Sequence, residues 1–399
     1  MGPSTGSPRF EDVDWSEIDR SRRLVTPERV TFVVGVIVLW AAYVYDSHTG
    51  IYFIGTWRTE RLDWVVMFGL VVLLAFVLVP MVRRRGRARV ILQRLVSRPS
   101  HALAAGYLAV FSGIAVMGPI ILGSPELQFQ HRFHAPPGFT SEMGWKADCT
   151  GEITDGEGIT RYCHGSWEFP LGTNHRGHSM GHLFVEGARV AFYVLVFTAA
   201  FIVPTAAVVG IVAGFRGGRL DDLLMSYVDV QLCIPAIVAF FIGYMYWNVS
   251  LLLLLVTFGL LSWGGIARVV RSETLQRRED GYVLVARSLG GSSTYIGRRH
   301  IIPNITNTLV PSVFHLLALL VLVEAGVAFL GFHHIETYSW GSTIQEGLDP
   351  NFSGIGLSMH PHEIWWVSTV PAIALTITLL SLKLVGDGLR DALDPRRHN

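Results

Sequence analysis

The sequence predicts an all-α, polytopic membrane protein of about eight spans, on three observations. Half of its 399 residues are hydrophobic and only 16% are charged, against about 25% in a soluble globular domain. Its mean hydropathy is +0.41. Its apolar residues gather into runs long enough to cross a hydrocarbon layer roughly 30 Å thick, which takes about 20 residues as a helix.

Eight such runs follow one another: Val30–Tyr45, Trp64–Val82, Leu103–Gly123, Val190–Phe215, Leu223–Trp247, Val249–Ala267, Leu309–Gly331 and Trp365–Gly386. The first is short. The fifth and sixth are parted only by Asn248 and predict a tight helical hairpin. Ionisable groups inside the runs are Asp229, His315, Glu324 and Lys383. Such groups are costly in hydrocarbon, so they should face protein, water or an interface. Asp229 and Lys383 lie near run ends, where they can snorkel. Glu324 is nearer mid-span, where either a helix–helix hydrogen bond or a place on a pathway accounts for it.

Lys and Arg set the orientation. Segments 1–29, 83–102, 216–222, 268–308 and 387–399 hold 24 of the 32 basic residues, and loop 332–364 holds none. Both termini are therefore expected in the cytoplasm. The stretch Arg83–Arg98 sets seven arginines among Val90, Ile91, Leu92, Leu95 and Val96. It serves either as an amphipathic helix on anionic headgroups or as a plain topology anchor. The formal net charge of +1 excludes a typical nucleic-acid binder. No cleavable signal peptide is visible: the first 29 residues are polar, and no small-residue cleavage site follows the first run.

Of three cysteines, Cys233 lies in an apolar run, while Cys149 and Cys163 fall in the long external loop 124–188. A disulfide between those two and a pair of free thiols are both compatible with the sequence.

Several chemistries are absent. The two lysines, Lys146 and Lys383, follow Trp145 and Leu382, so there is no Gly-Lys-Ser/Thr phosphate loop, and the chain is not expected to hydrolyse ATP. Gly177-His178-Ser179-Met180-Gly181 fits a nucleophile-elbow string but lacks the strand–turn–helix setting an elbow needs. His178 and His182 stand at i, i+4, with His131, His134, His164 and His175 nearby, yet no carboxylate or cysteine completes a familiar ligand spacing. No metal site is expected.

Between the sixth and seventh runs lies a loop, 271–303, whose two halves are helix formers split by Gly290-Gly291-Ser292-Ser293 and ended by Pro303. It predicts a helix–turn–helix on the cytoplasmic face. The spacing Leu284-Val285-Ala286, then Gly290, then His300-Ile301-Ile302-Pro303 resembles the EAA loop of binding-protein-dependent ABC importer permeases. That pattern reads E-A-A, three residues, Gly, nine residues, I-x-L-P. Leu284 replaces the glutamate, although Glu279 and Asp280 stand just upstream.

Four further segments resemble the dipeptide/oligopeptide/nickel branch and its C-type subunit. Pro170-Leu171-Gly172-Thr173-Asn174 with Arg176-Gly177 is similar to its PLGTDxxGRD motif. Asp229 and Pro235 match its VDxxxxxP. Glu324-Ala325 through Phe329-Leu330-Gly331, then Ser339-Trp340-Gly341, match EAALSFLGLG…PSWG. The tail from Gly386 to Pro395 is close to its C-terminal signature.

The resemblance implies a six-helix type I importer core preceded by two extra helices. Residues 1–102 form the extension, 103–187 the first core helix and external loop, 188–388 the transmembrane domain, and 389–399 a cytoplasmic tail. It implies a second permease subunit, two ATPase subunits that use ATP and Mg, an external solute-binding protein and surrounding lipid. It implies no cofactor on this chain. Tyr282, Ala286, Gly290, His300 and Pro303 become the ATPase-docking residues. Peptide is the implied substrate, nickel the alternative. An ion-driven secondary transporter would show an inverted repeat and paired mid-membrane charges, and neither is present.

Overall fold

The computed structural model describes residues 26–393 except 50–52, 54–56, 58, 144–147, 157–160, 248–249, 333–337 and 350–359. Among the described residues, seven helices are long and apolar enough to cross a membrane, and a bent pair supplies an eighth span. The spans are α1 (Pro27–Thr49), α2 (Arg61–Arg83), α4 (Pro99–Leu122), α5 (Met180–Arg216), the pair α6 (Gly218–Cys233) and α7 (Ala236–Tyr246), α8 (Leu251–Arg278), α10 (Ile302–Phe329) and α12 (Trp365–Leu393). Between them lie α3 (Arg85–Val96), α9 (Gly281–Ser288) and α11 (Trp340–Leu348).

Several expectations need correction. The first run is part of a full 23-residue helix. The fifth span is not straight: α6 and α7 meet at 73°, where Pro235 lacks the N–H that would continue the ladder. The hairpin is looser than a single Asn248, since α7 ends at Tyr246 and α8 starts at Leu251; residue 248 itself lies outside the described residues. Helix α12 runs on to Leu393, so the start of the tail is helical.

Pro303 does not stop the second half of the loop. It sits in the first turn of α10, directly after a π-helical turn, Gly297–Ile301. The same arrangement recurs at Pro80 after Leu74–Leu78 and at Pro204 after Thr198–Ile202. A proline ring crowds the carbonyl four residues back and offers no N–H. Widening the preceding turn relieves that contact without breaking the helix. Pro119, Pro311 and Pro371 sit inside regular helices.

The main core cluster draws most of its buried side chains from α5, α8 and α10, and a smaller one gathers Phe133, Met180, Leu183, Ile364 and Trp366 at the end of the bundle opposite loop 271–303. Helices α5 and α8 approach closest through glycine: a Cβ on Gly210 would stand 2.5 Å from the Ala267 carbonyl oxygen, and one on Gly214 2.8 Å from that of Arg271. At the end opposite loop 271–303, the connection from α4 to α5 carries a three-stranded antiparallel sheet, in the order β1 (Thr140–Glu142), β3 (Arg161–His164), β2 (Ile153–Asp155). Cys163 on β3 is buried and disulfide-bonded to Cys149.

Candidate functional site

The loop 271–303 is built on the end of a membrane helix. Helix α8 carries its first part out as far as Arg278, and α9 follows after a two-residue break. Its C-terminus is a Schellman turn: the Gly291 N–H donates to the Ala286 carbonyl and the Gly290 N–H to that of Arg287, both at 3.0 Å. Gly290 takes the left-handed position at φ +81°, and a Cβ on Gly291 would stand 2.7 Å from the Ala286 oxygen. Gly290 itself has open space around it, so its requirement is conformational.

One face of α9 is anchored. Val283 is fully buried, in the same core cluster as Ile296, Ile301 and Ile305. Asn304 donates to the Tyr282 hydroxyl at 3.1 Å, and the His300 ring lies 6.1 Å from Tyr282 and 5.8 Å from Tyr295. Arg287 sits 5.3 Å over the Phe215 ring at the end of α5. The other face is open. Leu284, Val285 and Leu289 are 49%, 59% and 81% exposed. Tyr282 and Ala286 thus lie on α9, Gly290 ends it, and His300 lies in the π turn that runs into α10 at Pro303 while its ring faces Tyr282.

Asp229 and Glu324 are far apart in kind. Asp229, exposed on α6, pairs with Arg268 of α8. One step towards the loop, Asp221 and Arg271 form a two-toothed pair at 2.5 and 2.6 Å. Two arginines of α8 therefore fix α6 above the loop. Glu324 is buried on α10 beside Ser339, the residue that caps α11, which places it in a helix–helix joint.

That joint explains the Glu-Ala…Ser-Trp-Gly string. Ser339 caps α11 by accepting from the Gly341 and Ser342 N–H groups, at 3.1 and 3.4 Å. A Cβ on Gly341 would meet the Ala325 carbonyl oxygen at 1.9 Å. The Trp340 ring fills the space left by Gly187, and its Nε1–H donates to Phe184 at 3.1 Å. Small residues let α11 lie directly on α10 and α5.

The Pro-Leu-Gly-Thr-Asn segment seals the same end of the bundle. Trp366 Nε1–H donates to the Thr173 carbonyl at 3.0 Å, over Gly172 at φ +77°. Asn174 Oδ1 accepts from the N–H groups of Arg176 and His178, at 3.0 and 2.9 Å, and its Nδ2 donates to Glu346 at 3.0 Å. His175 also faces Glu346, at 3.5 Å. Burial pushes the neighbouring His178 imidazole down to about 4, so it is neutral at pH 7. The unfolded histidine protonates near 6.5. Between about pH 4 and 6.5 the unfolded chain holds a proton that the folded chain does not. Stability therefore rises with pH across that window and is lost on acidification, by on the order of 2 kcal/mol. Unfolding measured at pH 4.5 and 7 should show this loss, and His178→Gln should flatten it.

Ser179 precedes the first turn of α5 and forms an isolated antiparallel bridge with Thr173. His182 contacts the Gly123 carbonyl at 2.9 Å, away from buried His178. Among the described residues, the one group with metal-ligand proximity is His134, Cys149 and Cys163, and its two sulfurs are bonded to each other.

A polar cluster went unread in the sequence. Asp63 of α2, 1% exposed, accepts from Arg189 of α5 at 2.9 Å, from the Tyr193 hydroxyl, and from the Glu60 N–H at 2.7 Å. Arg189 also reaches Glu186 at 3.6 Å and lies 5.9 Å over the Trp57 ring. Nearby, Phe68 stacks on Phe201, and Gly69 lies against Val196 and Ala200. The runs drawn from hydropathy start at Trp64 and Val190, so Asp63 and Arg189 fell just outside them. The helices start earlier, at Arg61 and Met180. A carboxylate and an arginine each beside the outer end of an apolar run is the signal that could have paired them.

Residues 206–399 match the family described as binding-protein-dependent transport system inner membrane component. A putative peptide transport system permease protein of Brucella suis biovar 1 (strain 1330) is 32% identical over 235 residues, 57% of this chain and 74% of the relative. The chain belongs to this permease family. The dipeptide transport system permease protein DppC of Bacillus subtilis (strain 168) is 28% identical over 227 residues, 57% of this chain and 68% of its own length. The oligopeptide transport system permease protein OppC of the same strain is 28% identical over 211 residues, 53% and 66%. The chain is thus an ABC importer permease of the peptide branch. The family is one of transport components.

Proposed function

We propose that this permease forms half of the translocation pathway of an ATP-driven importer of di- or oligopeptides, and that α9 docks into a cleft of a separate ATPase subunit. The observation that carries the docking is the exposed apolar face of α9, with Leu284, Val285 and Leu289 turned outward beside a helix end fixed by Gly290. Burying side chains of this size against a partner gives about 1.5–3 kcal/mol each. The contact needs no ionic group, which fits Leu284 standing where the EAA pattern has glutamate. Movement imposed on α9 passes directly into α8 and, through the π turn, into α10. Such a stiff lever is what coupling requires.

Residues 103–388 hold six spans, the core, and residues 1–102 the extension. The exposed Asp229–Arg268 pair on α6 and α8 supports a protein or aqueous neighbour there, because an ion pair facing hydrocarbon is costly. A second permease subunit supplies that neighbour. The basic bias of the loop side supports a cytoplasmic place for α9 and both termini. The disulfide-closed sheet then faces outward, where a peptide-binding protein delivers its load. Reconstitution with the second permease subunit, two ATPase subunits and the binding protein tests the proposal. Peptide-loaded binding protein should raise ATP hydrolysis and drive uptake. Hydrolysis and uptake indifferent to any di- or oligopeptide would refute the substrate class.

A further inference from the structure

The arginines of residues 83–98 fall into two sets. Arg94 Nη1 donates to the Ala392 carbonyl at 2.9 Å, and Arg98 pairs with Asp391 at 3.1 Å. Leu95 is buried where a Cβ on Gly388 would stand 2.7 Å from it. This set staples α3 to the end of α12. Both ends of α3 adjoin spans, since α2 ends at Arg83 and α4 begins at Pro99. The helix is therefore held at the level where the spans leave the membrane.

The second set is Arg84, Arg85, Arg87 and Arg89. All four are exposed, and among the described residues none has an acidic partner. Arg85, Arg89, Leu92 and Val96 fall within an arc of roughly 60° on a helix turning 100° per residue. Leu92 and Val96 are 54% and 50% exposed. One stripe of α3 thus carries charge along its first half and bare apolar surface along its second. Where α3 leaves α2, a recess of about 340 Å³ is lined by Glu28, Phe76, Pro80, Arg83 and Arg84. Arg83 is paired with Glu28 at 3.1 Å, which leaves Arg84 as the cation of that recess with no carboxylate against it.

We propose that this surface binds anionic phospholipid headgroups. Phosphates would sit on Arg85 and Arg89 and on Arg84 at the recess, with Arg87 on the opposite side of the helix adding only to the local positive field, and acyl chains would lie along Leu92, Val96 and the Phe76 side of the recess. A topology anchor needs positive charge alone; it needs neither an aligned apolar stripe nor a recess. Guanidinium groups suit phosphate because their fork matches its oxygens, and an apolar stripe in line with cations matches the two halves of a lipid. A second occupant would be the acidic segment of the same chain, with Glu11, Asp12, Asp14, Glu17 and Asp19. The exposed apolar stripe favours lipid over that segment.

The test uses the full chain in mild detergent, titrated with phosphatidylglycerol or phosphatidylcholine, with bound lipid counted by native mass spectrometry. Wild type should retain phosphatidylglycerol and not phosphatidylcholine. The variant with Arg84, Arg85, Arg87 and Arg89 all changed to Gln should bind phosphatidylglycerol at least about tenfold more weakly. Its thermal unfolding should match wild type. Deleting residues 1–24 should leave lipid retention unchanged. Equal retention of the two lipids, full binding by the four-Gln variant, or a severalfold gain on the deletion would each overturn the proposal.

Discussion

Replacing Gly290 with valine should abolish peptide uptake while leaving the permease in the membrane. Gly290 occupies φ +81° at the end of α9, a conformation that a β-branched residue adopts only at a cost of a few kcal/mol. No neighbouring atom stands within 4 Å of the added Cβ position, so the strain falls on the turn and not on the core. The Schellman bonds to Ala286 and Arg287 would open, and the end of α9 carrying Leu289 would be redirected. Uptake assayed in cells, beside membrane levels by immunoblot, separates coupling from folding. Gly290→Asn should keep part of the activity, because asparagine tolerates the left-handed region. Normal transport by the valine variant would count heavily against a docking role.

The second large effect concerns the extension. Asp63→Ala should destabilise the protein by about 3–5 kcal/mol, the usual result of removing one partner from a buried ion pair. Arg189 would then keep its Nε–H bond to the Tyr193 hydroxyl at 2.8 Å, the 3.6 Å contact with Glu186 and the Trp57 ring, with no carboxylate at hydrogen-bond distance. The loss should appear as earlier unfolding in a denaturant titration, and as exposure of the α1–α2 pair to protease. Asp63→Leu combined with Arg189→Met should recover much of it, since the pair is then exchanged for apolar contact. An unchanged titration for Asp63→Ala would show that the extension docks through Phe68, Gly69 and Val66 alone. Helix α1 packs on α2, through Phe32 against Phe68 and Phe76 and through Tyr43 against Trp64. The α1–α2 pair therefore hangs on the face of α2 that meets α5, while α3 is held separately against the end of α12.

Hydropathy and charge made the spans legible, because hydrocarbon tolerates only long apolar helices and the basic residues crowd to one side. Glycine and proline spacing made the loop legible, because Gly290 and Gly291 have conformational duties that few residues can fill. What stayed hidden depended on contacts between distant segments. Asp63 and Arg189 are 126 residues apart, and each alone looks like an ordinary residue at a helix end. The 73° break at Pro235 is indistinguishable by sequence from Pro311, which a regular helix absorbs. The π turns before Pro80, Pro204 and Pro303 answer a local clash but leave no compositional trace. The three short strands of the outer loop hold only 3, 3 and 4 residues, too few for alternation to stand out. Helix α11 was within reach, since Ser339 and Ser342 occupy capping positions ahead of a helical segment.

The most direct test of the account is photo-crosslinking in the assembled transporter. A photoreactive amino acid placed at Leu289 or Val285, both outward on α9, should capture an ATPase subunit. The same group at Trp167, 83% exposed at the opposite end of the bundle, should not. Capture of the ATPase from Trp167 but not from Leu289 or Val285 would contradict both the docking role of α9 and the orientation on which it rests.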